Sequence, residues 1–382
     1  MPAKSDCAQN HKFGARSKPV FSPDQVRGRL FAGRALTWRS LAFVAVALLF
    51  APGLRDVRAQ TEAEFYRGKD VRVLISHPPG GGYDTYARLF ARYLSRHLPG
   101  NPTVIAQNMP GAAGVVMANY LFTQAPRDGT VIGLGPGSMG TAALFGAPGA
   151  RFDARQFTWI GSMNSEVAVA VSWHISAVKK AEDLYAHELI VGAAGATDQS
   201  NIYPNAVNRI LGTKFKVIPG YRGSAENALA LERGEVAGIG GINFSSIQAT
   251  RPDWIKDAKV NVLLQLSLQR HPALPNVPTV LELGRSEAEK AVLRLVFAQS
   301  QMGRAIFGPP GIPPERAQIL RSAFKAVLDD PEFVADATKR SIEINQPMSG
   351  QEMGQLIGTL HATSPELIKR ASDAIAVSGG AQ

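Results

Sequence analysis

Short β-branched and aliphatic runs alternate along this chain with stretches whose apolar residues recur every three or four positions. The first run covers residues 71–76. After it, Ala87, Phe90, Ala91, Leu94 and Leu98 fall on one face at the helical period. Between the two lies Pro78-Pro79-Gly80-Gly81-Gly82-Tyr83-Asp84, and Asp84 is the expected N-cap of the helix. Further apolar runs at 103–106, 130–134, 167–173, 189–192, 215–218, 236–239 and 260–266 predict strands. A stripe of Ala317, Leu320, Ala323, Phe324 and Val327 predicts a helix over 315–328, opened by Pro313-Pro314. Strands alternating with helices predict an α/β fold with largely parallel sheets. No repeat of fixed period and no low-complexity tract interrupts the pattern.

Composition changes this picture mainly at the N-terminus. The 382 residues suffice for two or three domains with real cores, and 45% hydrophobic with 19% charged residues excludes a disordered or fibrous chain. The net charge of +10 is unevenly placed. Residues 1–59 hold ten Lys/Arg and three Asp/Glu, a balance of +7, which leaves +3 for residues 60–382. A body so near neutrality has no electrostatic footprint for nucleic acid.

The charged N-terminus reads as an export leader. Arg27, Arg29, Arg34 and Arg39 precede an apolar run at 41–51, which Pro52-Gly53 ends. Small residues at Val57-Arg58-Ala59 then offer a cleavage site, so the chain is expected to be exported through a signal peptide cut near Ala59. The run is shorter than the roughly 20 apolar residues of a membrane span. An uncleaved anchor is the alternative, and residues 1–26 read as an extension ahead of the leader. No second long apolar run follows, so the exported part is expected to be soluble. Cys7 is the single cysteine and lies in the leader. The exported part therefore has no disulfide, no thiol nucleophile and no thiolate metal site.

The loop at Pro78–Asp84 carries the most chemistry. Three glycines expose consecutive backbone N–H groups where a strand feeds a helix N-terminus, whose first-turn donors lack partners and carry partial positive charge. That combination suits a carboxylate or phosphate; a tight turn needing positive φ is the structural alternative. Known nucleotide motifs do not fit. No Lys follows the glycines as a P-loop requires, and Gly135-Pro136-Gly137-Ser138-Met139-Gly140 lacks the acidic partner of a dinucleotide site. Two more strand–glycine–helix units occur, Gly192-Ala193-Ala194-Gly195-Ala196-Thr197-Asp198 and Met109-Pro110-Gly111-Ala112-Ala113-Gly114. Neither H-E-x-x-H nor G-x-S-x-G is present. The histidines beyond the leader (77, 97, 174, 187, 271 and 361) never pair at three or four residues, so no helical metal site is expected. His77, next to the glycine loop, reads as structural or as an anion contact. Arg88, Arg92 and Arg96 share one helical face that reads as solvated.

Seven segments in order resemble the Bug-type extracytoplasmic receptors of tripartite tricarboxylate transporters. They are Phe65-Tyr66-Arg67-Gly68-Lys69, Pro78–Asp84, Asn108-Met109-Pro110-Gly111-Ala112-Ala113-Gly114, Asp128-Gly129-Thr130, Gly223-Ser224-Ala225-Glu226 with Gly234-Glu235-Val236, the 270–279 segment Arg-His-Pro-Ala-Leu-Pro-Asn-Val-Pro-Thr, and Gly308-Pro309-Pro310-Gly311-Ile312-Pro313. The resemblance runs from about residue 65 to 350. It implies a type II periplasmic-binding-protein fold, two α/β lobes with mostly parallel sheets and a ligand cleft between them. It also implies a receptor that is not an enzyme, binding a carboxylate largely through main-chain amides for a membrane permease. Carried over, the ligand-binding candidates are Gly80, Gly81, Gly82, Tyr83 and Asp84, with Asp84 capping the helix or orienting water. The hydroxyls of Ser138 and Thr197, the amides of Gly195 and Ala196, and Arg222 as counter-charge complete the set. The chain departs from the family at Ala194–Gln199, where a His is usual, and at Tyr221-Arg222-Gly223, where Tyr-Lys-Gly is usual.

The expected organisation is a leader over 1–59, lobe one over 65–160 plus 269–382, and lobe two over 161–268. No cofactor, metal or nucleic acid is expected. The expected partners are a small carboxylate and the permease subunits, with the receptor itself a monomer. A sensory module feeding a kinase is the first alternative; an exported α/β hydrolase is the second, for which the sequence offers no nucleophile with an acid–base partner.

Overall fold

The structure, a computed structural model, describes Glu62 and residues 64–376. The leader, its cleavage site and the 1–26 extension lie outside the described residues. Among the described residues no helix is long and apolar enough to cross a membrane.

Two sheets organise the chain. The first is built from β1 (Asp70–Ile75), β2 (Thr103–Asn108), β3 (Val131–Gly135), β4 (Thr158–Ser162), β10 (Ala305–Gly308) and β11 (Met348–Ser349), in the order β11-β4-β10-β3-β1-β2. The second is built from β5 (Ala168–Trp173), β6 (Leu189–Ala193), β7 (Phe215–Pro219), β8 (Gly238–Asn243) and β9 (Val260–Leu266), in the order β7-β6-β8-β5-β9. β1 pairs in parallel with β2 and β3, and β6 with β7 and β8. β10 inserts antiparallel between β3 and β4, and β5 antiparallel between β8 and β9. Both sheets are therefore mixed. By strand direction only β10 and β11 oppose the rest of the first sheet, and only β5 opposes the rest of the second.

Helices cover both faces of each sheet, which is why most strands read as continuous apolar runs. On one face of the first sheet, α1 (Gly82–His97) buries Tyr86, Ala87, Phe90, Ala91 and Leu94 against α7 (Pro314–Asp329), whose Leu320, Phe324 and Val327 belong to the same core. The other face takes α2 (Val115–Thr123) and α9 (Gly350–His361). α8 (Pro331–Lys339) follows α7 and seals the first core with Phe333. On the second sheet, α3 (Gln199–Leu211) packs on one face, and α4 (Ser224–Glu232) with α5 (Phe244–Thr250) on the other. Two helices from the C-terminal part, α6 (Glu287–Phe297) and α10 (Pro365–Ile375), bury Val292, Leu293, Val296, Ala371 and Ala374 in the α3 core. The expected lobe division placed both in lobe one; their apolar faces join the second sheet's core instead.

The chain passes from the first sheet to the second between Ser162 and Ala168, and returns between Leu266 and Ala305. The helix over Pro314–Asp329 matches the predicted 315–328. The helix after the glycine loop begins earlier than expected. Gly81 is its N-cap and Asp84 stands in the first turn, where its carboxylate reaches back to the Gly80 amide rather than capping.

α9 lies so close to β4 that a Cβ on Gly350 would fall 2.1 Å from the Trp159 carbonyl oxygen. Backbone cannot yield as a side-chain tip does, so Gly350→Ala is expected to destabilise the protein by about 1–3 kcal/mol. Urea denaturation checks this; an unchanged midpoint would remove the close approach as the reason for glycine here.

Candidate functional site

The glycine loop meets the second sheet's half of the molecule directly. A Cβ on Gly81 would stand 2.8 Å from Ser224 Oγ, and one on Gly82 2.0 Å from Ser246 Oγ and 3.1 Å from Arg304 Nη2. Only Gly80 has a positive φ, +86°, so the turn uses one glycine and close approach the other two. Behind the loop, Asp84 accepts hydrogen bonds from Gly80 N (3.1 Å), Arg88 Nε (2.9 Å) and Asn108 Nδ2 (2.9 Å). Burial works to raise its carboxyl, yet these donors hold it below the ordinary value. Asp84 thus builds the loop and faces away from the cleft. Arg92 and Arg96 pair outward with Asp336 and Glu332, as a solvated face requires.

A polar relay bridges the halves at Ser76-His77. Ser76 Oγ lies 2.8 Å from His77 Nδ1, and His77 Nε2 lies 3.4 Å from Asp198 Oδ2. The His77 ring stacks on Tyr83 at 4.3 Å. Asp198 is the N-cap of α3, its Oδ1 accepting from Ser200 N (2.9 Å) and Ser200 Oγ (2.5 Å). Burial acts to raise the Asp198 carboxyl, but His77 and Ser200 outweigh it and hold it low. A second bridge is Thr197 Oγ1 donating to the Ala112 carbonyl at 3.0 Å. Ala112 and Ala113 both adopt positive φ, +44° and +52°, a strained conformation for alanine that presents this carbonyl to the other half.

Beneath the loop lies a fully buried cation. The Arg304 guanidinium sits 4.4 Å from the ring centres of both Tyr83 and Tyr86. Its Nη2 donates to Ser245 Oγ and Ser246 Oγ at 2.9 Å each, and Glu166 Oε2 is 3.4 Å away. Glu166 also accepts from Ser245 Oγ and Asn164 Nδ2, and burial raises its carboxyl despite the arginine. Burial likewise pushes Tyr83 and Tyr86 up to about 12.

Between the halves is a chamber of about 20 Å³, room for one water, lined by Tyr83, Ser138, Glu166, Asp198, Gln199 and Asn243 among others. A neighbouring space of similar size touches His77, Tyr83, Asp198, Ser224 and Ser246. Larger cavities open beyond. One of about 550 Å³ is lined by Gly81, Tyr83 and Arg222; another of about 580 Å³ by His77, Gly195, Ala196 and Arg222; a third of about 460 Å³ by Ser138, Ala196 and Thr197. The structure therefore brings Gly81, Tyr83, Ser138, Gly195, Ala196 and Thr197 around one cleft. Gly82 is buried in the contact with Ser246, and Gly80 is exposed outside the cavities. Arg222 reaches the cavity rim, but its side chain is 83% exposed and paired with Glu226, so its charge is already matched.

Sequence reasoning missed Arg304, Glu166, Asn243 and Gln299. The visible signal was a lone charge flanking an apolar run, Glu166 before 167–171 and Arg304 before 305–307. Asn243 Oδ1, Gln299 Oε1, and Arg304 Nε and Nη1 are buried without a hydrogen-bond partner. Among the described residues no group of three or more His, Cys, Asp or Glu could hold a metal ion. Ser76-His77-Asp198 has the residue types of a hydrolytic triad, but the serine lies on Nδ1 of the ring and the aspartate on Nε2, the reverse of a triad's arrangement.

Residues 86–372 match the tripartite tricarboxylate transporter family receptor, and the chain belongs to that family. A protein encoded in the gbd 5′ region of Cupriavidus necator is 26% identical over 77% of this chain and 85% of its own length. BugT of Bordetella pertussis is 26% identical over 65% of this chain and 75% of its own. Among solved structures, MatC of Rhodopseudomonas palustris with bound malate is similar at a TM-score of 0.64 and 21% identity, covering 80% of this chain and 99% of that one. An R. palustris protein with adipate gives 0.63 and 20%, covering 81% and 98%. BugD, a periplasmic binding protein, gives 0.63 and 21%, covering 81% and 99%. The α/β fold with two mixed sheets is that of periplasmic solute-binding proteins.

The lowered Asp198 carboxyl has a consequence for stability. A carboxyl depressed by folding adds stability above its ordinary value of 3.8, and that contribution is lost as pH falls through the depressed value. Asp198→Asn is expected to cost about 1.5–3 kcal/mol at pH 7, with the gap to the parent narrowing toward pH 3. Urea midpoints at the two pH values measure this; a gap that stays constant would mean the charge on Asp198 contributes nothing.

Proposed function

We propose that this chain is an exported receptor that captures a small organic carboxylate between two lobes and delivers it to the permease of a tripartite transporter. The carrying observation is that the first turns of two helices meet at one chamber: Tyr83 of α1 and Gln199 of α3 both line it. The N-terminal ends of both helices, which carry partial positive charge, therefore stand beside the same small space. Membership of the receptor family and the malate and adipate bound by similar structures support a carboxylate over other anions.

The ligand-binding set is Gly81, Tyr83, Ser138, Gly195, Ala196 and Thr197, with Gly80, Gly82 and Asp84 shaping the first loop and Arg222 at the rim. The lobes divide as 65–160 plus 269–382 and 161–268, except that α6 and α10 travel with the second. They close about the crossings at 162–168 and 266–305, and ligand selects the closed form that docks on the permease. The receptor acts as a monomer in the periplasm after cleavage near Ala59 and catalyses no reaction. The reversed placement of serine and aspartate on the His77 ring argues against the hydrolase alternative.

A thermal-shift panel of malate, succinate, adipate, citrate and phosphate tests this reading. A carboxylate at about 100 Kd stabilises the folded form by roughly 2.7 kcal/mol. Ser138→Asp sets a carboxylate in the chamber and is expected to abolish that shift. Stabilisation by phosphate alone, or an undiminished shift in the variant, would overturn the assignment.

A further inference from the structure

The cavity of about 460 Å³ differs in chemistry from the cleft it adjoins. Its wall is largely apolar: Ala142, Phe145, Ala147, Pro148, Ile202 and Ile375 contribute most of it. The size falls within the ~300–1,000 Å³ range of small-molecule pockets. The small chamber, by contrast, is rimmed by carboxylates, tyrosines and amides and has room for one water-sized group, such as a single carboxylate oxygen.

The two spaces share Ser138 and Gln299. Gln299 is 5% exposed, its Nε2 donates to the Val296 carbonyl, and its Oε1 has no partner. An acceptor oxygen repels a carboxylate and a hydrocarbon gives it no donor, so Gln299 Oε1 bounds the polar chamber without bonding to an acid. It stands at the junction of the polar chamber and the apolar cavity. Ala196 and Thr197 line the cavity from the second sheet's half, and Ala142 and Phe145 from the segment after β3.

We propose that the ligand is a carboxylic acid with an apolar body, its carboxylate in the chamber and its hydrocarbon part in the cavity beyond Ser138 and Gln299. This rests on the receptor reading above and narrows its substrate class from small organic carboxylates to acids carrying an alkyl chain or an aromatic ring. The apolar wall adds affinity in proportion to the hydrocarbon it covers, about 0.8 kcal/mol per buried CH2. A second carboxylate placed there would be desolvated without a cation to meet it.

Isothermal titration of the exported chain with succinate, octanoate and 4-phenylbutyrate separates the cases. The expected result is that octanoate or 4-phenylbutyrate binds at least tenfold more tightly than succinate. Ala147→Phe, at a half-buried position on the wall, is expected to lower the ratio of tailed to short affinities at least tenfold. Ile375→Glu, which sets a charge on the same wall, gives the same readout should the first variant fail to fold. Succinate binding alone, or ratios that stay within twofold in a folded variant, overturns the proposal while leaving the receptor reading standing. Binding of none of the three, nor of any acid in the thermal-shift panel, overturns both.

Discussion

A guanidinium removed from water needs partners, and Arg304 finds them unevenly: Nη2 donates to two serines beside Glu166 and two tyrosine rings lie against the group, while Nε and Nη1 have no hydrogen-bond partner. Its partners come from three separate stretches, Glu166 on the outgoing crossing, Ser245 and Ser246 on α5, and Tyr83 and Tyr86 on α1, all met from the return crossing before β10. Removing one partner of such a buried pair costs about 3–5 kcal/mol, because the other charge is left uncompensated. The cation therefore fixes where the first turn of α1 sits relative to the second sheet. Gly82 is pressed against Ser246 and Nη2 as part of the same contact, which explains a glycine at a position whose backbone does not need one for its φ.

What was legible in the sequence was local. Strands buried on both faces announce themselves as apolar runs, and α1 and α7 announce themselves by their stripes. The glycine triplet was legible as a loop with exposed amides, though not as three glycines with different tasks. What was not legible needs contacts far apart in the chain. Glu166 and Arg304 look like isolated charges until folding places them 3.4 Å apart. The apolar faces of α6 and α10 could serve either sheet, and nothing in their periodicity says which. Arg222 was the reverse case: Glu226 four residues on already marked an ion pair, and a free counter-charge was the less economical reading.

The relay from Ser76 through His77 to Asp198 shows how a contact between halves is assembled from parts that each half positions by itself. His77 follows β1 directly and is held by Ser76 and by its stack on Tyr83, so its ring is aimed before it meets Asp198. Asp198 is fixed equally well, because its other oxygen caps α3 through Ser200. Both partners are positioned by their own half, which leaves little side-chain entropy to lose when they meet. Thr197 and the strained Ala112–Ala113 turn repeat the arrangement nearby with a neutral hydrogen bond.

Two carboxylates beside a proposed anion site look contradictory until their charges are followed. Glu166 is matched by Arg304 and by hydroxyl and amide donors. Asp198 is matched by His77, Ser200 and the amide end of α3. Neither presents an unmet negative charge to the chamber, so the field felt by a ligand there is set by what remains: the first-turn amides of α1 and α3. A carboxylate entering that space would displace at most a water and would meet dipoles that are already oriented. The acids in the walls thus have their charges spent within the scaffold, and on the proposed reading the selectivity between one carboxylate and another falls to the wider cavities nearby.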